Sequence, residues 1–120
     1  LVEHARELGD YFLQNLARLR APLTDAGKIH GGDMQSELVR DVRGRGLFIG
    51  VELNSAVIDA HAACEVLLRH GILTKDTHAT VLRFAPPLTI TRAQIDAAFG
   101  LIESAFIDIY QHLPRDLRAG

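Results

Sequence analysis

The chain has 120 residues and a formal net charge of −2, with 48% hydrophobic and 23% charged residues. A chain of this length buries roughly two thirds of its unfolded surface, which is enough for one core, so the composition predicts a single soluble globular domain. The balanced charge argues against a dedicated nucleic-acid binder, which would carry a basic stripe. No apolar run approaches the roughly 20 residues of a membrane span, and no charged-then-apolar leader opens the sequence.

Cysteine and lysine are both scarce. The single cysteine, Cys64, excludes an internal disulfide framework and favours a reducing compartment, so we expect a cytoplasmic location. Lysine occurs only at Lys28 and Lys75, so a reaction that needs a lysine nucleophile has two candidates. Both lie in polar stretches and are predicted to be solvated, and the neighbouring Asp76 favours the charged ammonium of Lys75.

The first predicted element is an amphipathic helix. Its apolar residues recur at helical spacing: Leu8, Phe12, Leu16 and Leu19. Pro22 ends this helix, because proline cannot donate to the hydrogen-bond ladder. The polar, glycine-rich stretch Thr24–Ser36 is predicted as a loop.

Two strands, Leu38–Val42 and Leu47–Leu53, are predicted to form a hairpin. The turn between them is Arg43-Gly44-Arg45-Gly46, whose glycines suit positive φ. The nearly unbroken apolar run Leu47–Val51 predicts a central strand that is covered on both faces. Phosphate binding at these glycines is not expected, because their spacing is not that of a dinucleotide loop and they open a strand rather than a helix.

A second helix is predicted over Asp59–His70, with Asp59 at the N-cap and Gly71 just beyond its end. Its predicted inner stripe is Ala62, Ala63, Val66 and Leu67. Two short strands, Ile72–Thr74 and Thr80–Ala85, then flank a polar turn that contains Lys75.

The last helix has a capping box at its start, with Thr91 at the N-cap and Gln94 three residues on. Ile90 and Ile95 occupy the positions of a hydrophobic staple, and the apolar face continues to about Tyr110. The element order α-β-β-α-β-β-α predicts an α/β chain of the α+β kind, with a small, mostly antiparallel sheet and helices packed on it.

Arg83 is the strongest candidate for ligand binding. Alternation along the strand predicts that Leu82 and Phe84 face the core and that Arg83 faces the other way. Pro86 and Pro87 follow and stiffen the exit, which makes a rigid mount for an arginine that binds a carboxylate through two hydrogen bonds. The alternative, a surface arginine in an ordinary ion pair, remains open.

No other chemistry stands out from the residues. Four histidines lie away from the two ends of the chain: His30, His61, His70 and His78. Their spacing is not that of metal ligands, so we expect no metal site. Cys64 lies in the middle of the second predicted helix among alanine and valine residues and is predicted to be a small core residue rather than a nucleophile. There is no serine-histidine-aspartate set, so the residues alone predict no catalytic residue in this chain.

Four spaced motifs resemble the C-terminal region of the class III pyridoxal-phosphate aminotransferases and, within that family, its ornithine aminotransferase group. The motifs are Val42-Arg43-Gly44-Arg45-Gly46-Leu47, Leu67-Leu68-Arg69-His70-Gly71-Ile72-Leu73, Lys75-Asp76-Thr77-His78 and Leu82-Arg83-Phe84-Ala85-Pro86-Pro87-Leu88. With the first and last helices, the resemblance covers nearly the whole chain.

The resemblance implies a fold-type-I enzyme that is a homodimer with a large cofactor domain and a small C-terminal domain. Residues 1–120 would be the small domain, with 1–22 as the helix that connects the two domains and 37–120 as sheet and helices. The arginine of the family's R-F-x-P-P motif, here Arg83, would bind the substrate carboxylate. The cofactor lysine would belong upstream of Leu1, so pyridoxal phosphate would be bound by the large domain and the isolated chain would be inactive.

The resemblance also places an active-site loop at Lys75, Thr77 and His78. The family usually has proline where Asp76 stands and glycine where Ala79 stands. We expect the loss of proline to loosen this turn and to add a charge near the mouth of the site.

The implied reaction moves the δ-amino group of ornithine to a 2-oxo acid and yields glutamate-5-semialdehyde. Two alternatives remain: another class III aminotransferase, acting on acetylornithine or 4-aminobutyrate, and a free-standing module that binds a carboxylate or docks a partner chain.

Overall fold

The computed structural model describes residues 2–20, 38–77 and 80–113. Three α-helices and four strands follow one another along the chain, with a turn of 3-10 helix (Arg18–Arg20) after the first helix. In order they are α1 (Val2–Ala17), β1 (Val39–Arg45), β2 (Phe48–Leu53), α2 (Ala60–Arg69), β3 (Lys75–Thr77), β4 (Val81–Phe84) and α3 (Arg92–Gln111). The predicted Pro22 stop, the Thr24–Ser36 loop and Lys28 lie outside the described residues.

The strands form one sheet in the order β1-β2-β4-β3, and every neighbouring pair is antiparallel. The predicted antiparallel sheet and β1–β2 hairpin are therefore confirmed. The turn is shorter than predicted, because Arg43, Gly44 and Arg45 pair with β2 as part of β1 and only Gly46 and Leu47 link the strands. Gly46 in the hairpin turn has a φ of 56°, the left-handed region that the glycines of this turn predict. The pairing of β1 with β2 shifts between Val39 and Asp41, which marks a bulge near the start of β1.

The helices cover one face of this sheet, here called the inner face. α1 packs against β1 and β2, α2 packs against β3 and β4, and α3 packs against α1 and α2. The strands contribute buried side chains to the shared core: Val39, Ile49, Val51, Leu53, Leu82 and Phe84. The predicted apolar positions of α1 are all buried in the same core, which confirms that helix.

The start of α3 is confirmed in detail. The Thr91 hydroxyl accepts a hydrogen bond from the Gln94 amide at 3.1 Å, and the Gln94 side chain accepts one from the Thr91 amide at 3.0 Å. This capping box satisfies two amides that have no partner within the helix. Ile90 and Ile95, the predicted staple residues, are both buried.

The prediction that β2 is covered on both faces is wrong. β2 lies between two other strands, yet its side chains alternate, so that Ile49 and Val51 are buried while Phe48 is 68% exposed. Gly50 and Glu52, on the same face as Phe48, are half-buried. We call this second face the outer face, and no described helix packs on it.

The predicted strand Ile72–Thr74 is also wrong, because the strand begins later, at Lys75. The Ile72 amide donates to the Leu67 carbonyl at 2.9 Å, and Gly71 has a φ of 90°. These features end α2 in a glycine-capped turn and engage the amide that a strand at Ile72 would use. Lys75 consequently lies in a strand and not in the predicted turn.

The ends of α2 are as predicted, and its inner stripe is partly different. Asp59 is the N-cap residue, although its side chain makes no capping hydrogen bond. Ala60, Ala63 and Leu67 are buried, whereas Ala62, predicted to be internal, is exposed. The buried side of α2 therefore includes Ala60 and not Ala62.

A hydrogen-bonded group joins the C-terminal ends of α2 and α3. The Asp108 carboxylate accepts a hydrogen bond from His70 at 2.9 Å. His112 donates to the Asp108 backbone carbonyl at 2.9 Å, and its ring also lies beside the carboxylate. The bond from His70 is the main reason that the pKa of Asp108 lies below its usual value. The bond between His70 and Asp108 links the C-terminal end of α2 to α3.

Gly9 allows α1 to contact the hairpin turn directly. A Cβ atom on Gly9 would collide with the peptide carbonyl of Gly46, whose carbon would be only 2.5 Å away. Because both partners in this contact are backbone atoms, neither can rotate away as a side chain would. The close approach of α1 to the turn therefore requires glycine at position 9.

We predict that Gly9→Ala lowers the free energy of unfolding by about 1–3 kcal/mol, the usual cost of overpacking. The matched control is Gly100→Ala on α3, where an added Cβ meets no atom within 4 Å. That change should stabilise the chain by about 0.5–1 kcal/mol through helix propensity. Urea unfolding followed by circular dichroism measures both, and equal effects would contradict the contact.

Candidate carboxylate-binding site

Four residues in register cross the outer face of the sheet. Lys75 of β3 pairs with Arg83 of β4, Arg83 pairs with Gly50 of β2, and Gly50 pairs with Arg43 of β1. Side chains of register partners project to the same face of a sheet. We call these four residues the transverse row, and it places three cationic side chains on the side away from the helices.

Arg83 is held on a well-anchored strand. Its neighbours Leu82 and Phe84 are buried while Arg83 is exposed, which confirms the predicted alternation. The Phe84 ring packs edge-on against the Phe12 ring of α1, with the centroids 6.0 Å apart. The Thr74 hydroxyl donates to the Arg83 carbonyl at 2.7 Å. These contacts fix the backbone and leave the guanidinium available to a ligand.

The cations of the transverse row differ in their partners. Arg43 donates to Glu52 at 2.9 Å and to Asp41 at 3.0 Å. Both hydrogen bonds raise the pKa of the Arg43 guanidinium above its already high value, and the bond to Glu52 has the larger effect. Within residues 2–20, 38–77 and 80–113, neither Arg83 nor Lys75 pairs with a carboxylate. Of the three cations of the transverse row, Arg83 and Lys75 therefore have no carboxylate partner among the described residues, whereas Arg43 has two.

Gly50 leaves the surface beside Arg83 open. A Cβ atom at this position would lie 3.4 Å from the Val81 side chain and 4.0 Å from the Arg43 carbonyl oxygen, and no other atom of a described residue, apart from its chain neighbours, would lie within 4 Å of it. A larger side chain would project between Arg43 and Arg83, because position 50 is the register partner of both. The glycine therefore provides room for a ligand group next to the Arg83 guanidinium.

Of the three residues predicted to form an active-site loop, two lie in or beside the transverse row. Lys75 is exposed beside Arg83, and Thr77 is half-buried on the same face in register with Val81. His78 lies outside the described residues. The structure brings Lys75 and Thr77 to the face of Arg83, as members of the edge strand β3.

Asp76 lies on the opposite face from Arg83. It is the register partner of the buried Leu82, and its carboxylate lies 3.7 Å from His61 and 3.9 Å from the Cys64 sulfur, both on α2. The expectation that Asp76 adds a charge at the mouth of the Arg83 site is wrong, because alternation along β3 turns this residue toward the helix.

Cys64 is half-buried at the margin of the core, so it is less enclosed than a fully internal residue. Burial, together with the nearby Asp76 and Asp59 carboxylates, raises the pKa of its thiol to about 11. The thiol is protonated near neutral pH, in keeping with the prediction that it is not a nucleophile.

Among residues 2–20, 38–77 and 80–113, no three His, Cys, Asp or Glu side chains are grouped so that they could hold a metal ion. No described helix combines the length and the hydropathy that crossing a membrane requires.

The fold agrees with what comparison with known proteins finds. The family model for class III aminotransferases matches residues 1–106, and the chain belongs to this family. Its relatives include an ornithine aminotransferase of Staphylococcus carnosus, 44% identical over 88% of this chain, and one of Exiguobacterium, 43% identical over 87%. The chain spans about 22% of the length of each of these relatives.

Solved structures of the family have the same fold. An ornithine aminotransferase from Plasmodium yoelii superimposes with a TM-score of 0.71 at 32% identity, covering 89% of this chain and 25% of that one. An acetylornithine aminotransferase from Elizabethkingia anophelis gives 0.69 at 28% identity, covering 88% of this chain and 24% of that one. The family is dependent on pyridoxal phosphate.

The described residues do not fit that cofactor. Pyridoxal phosphate is held by a lysine Schiff base and a partner for its pyridine nitrogen. The described lysine, Lys75, lies exposed on an edge strand beside Arg83, and the aspartate next to it faces α2 instead. No step of the reaction can be assigned to these residues through the cofactor.

Arg43 and Gly50 are the site residues that the sequence analysis did not single out for binding. The sequence contains one indication of their pairing, because a tight turn at Gly46 places Arg43 opposite Gly50 in the hairpin. The pairing of β2 with β4, which brings both next to Arg83, is a long-range contact that the sequence pattern did not define.

We predict that Cys64 reacts slowly with iodoacetamide at pH 8, where a pKa of about 11 leaves roughly one thiol in a thousand ionised. Asp76→Asn removes a carboxylate next to the sulfur and should accelerate alkylation severalfold by lowering that pKa. Asp96→Asn, a carboxylate on α3, is the control and should leave the rate unchanged. Mass spectrometry follows the modification, and an unaltered rate in Asp76→Asn would refute the electrostatic effect.

Proposed function

We propose that residues 1–120 form the C-terminal small domain of an ornithine aminotransferase and supply the arginine that binds the substrate carboxylate. The reaction transfers the δ-amino group of ornithine to a 2-oxo acid, giving glutamate-5-semialdehyde and an amino acid. The observation that carries the proposal is Arg83, an exposed residue on a rigid strand whose guanidinium has no carboxylate partner among the described residues, in a chain of this family.

Arg83 acts by binding the α-carboxylate of the 2-oxo acid through two parallel hydrogen bonds. Such pairing fixes both the position and the orientation of a carboxylate. Lys75 adds positive charge beside it, and Thr77 lies on the same strand at the edge of the site. The family resemblance assigns His78, the next residue in sequence, to the same segment. The open surface at Gly50 gives the carboxylate access from the outer face.

The remaining functions belong to the rest of the enzyme. The large domain binds pyridoxal phosphate and supplies the Schiff-base lysine, residues 1–22 connect it to the small domain, and residues 37–120 form the small domain's sheet and helices. The whole enzyme is a cytoplasmic homodimer. This arrangement agrees with the share of the relatives' length that the chain spans.

A second substrate within the family is supported by one observation, the similarity to an acetylornithine aminotransferase structure. The identity to the ornithine aminotransferases is higher, at 44% for the Staphylococcus carnosus enzyme. Turnover by the full-length enzyme of ornithine, acetylornithine and 4-aminobutyrate in parallel separates these possibilities.

We predict that Arg83→Gln in the full-length enzyme raises KM for 2-oxoglutarate by about tenfold to a hundredfold, because a charge-assisted bidentate contact is lost. Steady-state kinetics and calorimetric titration with 2-oxoglutarate measure the change. Arg45→Gln, on the same face of the edge strand β1, is the control and should leave KM within twofold of the wild type. Unchanged affinity in Arg83→Gln would remove Arg83 from substrate binding.

The isolated 120-residue chain should not catalyse transamination when mixed with pyridoxal phosphate, ornithine and 2-oxoglutarate, since the Schiff-base lysine belongs to the large domain. The measurement is trapping of the semialdehyde product, with the full-length enzyme as the positive control. Robust turnover by the isolated chain would overturn the proposed division of functions.

A further inference from the structure

Glu52 lies where it can reach either of two arginines. Arg43 and Arg83 are both register partners of Gly50, on opposite sides of β2, and Glu52 is two residues further along that strand. Glu52 therefore has a diagonal relation to each arginine across the outer face. Diagonal neighbours are within reach of long side chains, and glycine at position 50 places no side chain between them.

The structure shows which arginine Glu52 binds. Its carboxylate accepts a hydrogen bond from Arg43 at 2.9 Å, and the same Arg43 nitrogen donates to Asp41 at 3.0 Å. Two carboxylates thus share one guanidinium at the β1 side of the sheet. Arg83, on the β4 side, has no such partner among the described residues.

We propose that Arg43 is a positioning residue that holds the Glu52 carboxylate on the β1 side of the outer face and so keeps Arg83 free for the substrate carboxylate. This inference rests on the proposed function of Arg83. It assigns Arg43 an indirect role, because Arg43 itself is occupied by Asp41 and Glu52 and does not contact the ligand.

The physical reason is competition for a single guanidinium. Without Arg43, Glu52 is an unpaired carboxylate next to Arg83 and forms the diagonal ion pair on that side instead. A substrate carboxylate then has to displace it. For pairs that are partly exposed, as these are, such competition weakens binding by about threefold to tenfold.

Asp41 provides a matched control. It also loses its partner when Arg43 is removed, but it lies on β1, two strands from Arg83, so its carboxylate is not a diagonal neighbour of that arginine. The double variants Arg43→Gln/Glu52→Gln and Arg43→Gln/Asp41→Asn carry the same net charge. A difference between them therefore reports the position of the carboxylate rather than the overall charge of the face.

The experiment measures KM and kcat for 2-oxoglutarate in the full-length enzyme, with thermal unfolding to confirm that each variant is folded. Arg43→Gln should raise KM about threefold to tenfold with little change in kcat. Arg43→Gln/Glu52→Gln should return KM to within about twofold of the wild type, whereas Arg43→Gln/Asp41→Asn should not. Glu52→Gln alone should leave KM nearly unchanged.

The inference would be overturned by a wild-type KM in Arg43→Gln, or by a raised KM that both double variants restore equally. A raised KM that neither double variant restores would assign Arg43 a direct contact and would also overturn it. Failure of the proposed function has a different signature, since Arg83→Gln would then leave KM unchanged whatever the Arg43 variants do.

Discussion

The antiparallel pairing of β2 with β4 determines where every other feature of the site lies. Ile49 and Val51 on β2 face the same way as Leu82 and Phe84 on β4, and all four are buried under the helices. Since side chains alternate along a strand, a slip of one residue would bury Arg83 and expose this apolar set. The hydrophobic requirement of the inner face therefore holds the arginine on the outer face.

Much of the fold follows from local patterns in the sequence. The helical spacing in α1, the capping box at Thr91 and the glycines at positions 46 and 71 each mark an element or its end, and the structure has them where the patterns predict. These signals depend on residues only a few positions apart. They are reliable because backbone conformation and capping are decided locally.

The errors arise where a distant part of the chain decides the outcome. The run Leu47–Val51 is apolar enough for a strand buried on both sides, yet the helices pack on one side and leave Phe48 exposed. Asp76 turns away from Arg83 because β3 pairs with β4 in one register and not another. For the site, the rigid mount of Arg83 was predictable, whereas its alignment with Gly50 and Arg43 was not, because two separate pairings create it.

The bulge near the start of β1 has a consequence for how the sheet ends. In the described sheet β1 is an edge strand, and an edge exposes backbone groups that can pair with another chain. The shift between Val39 and Asp41 interrupts the regular spacing of those groups. Beyond it, Asp41, Arg43 and Arg45 place charges along the strand, and an incoming strand would have to desolvate them. The residues that organise charge on the outer face thereby also protect this edge from strand addition and aggregation.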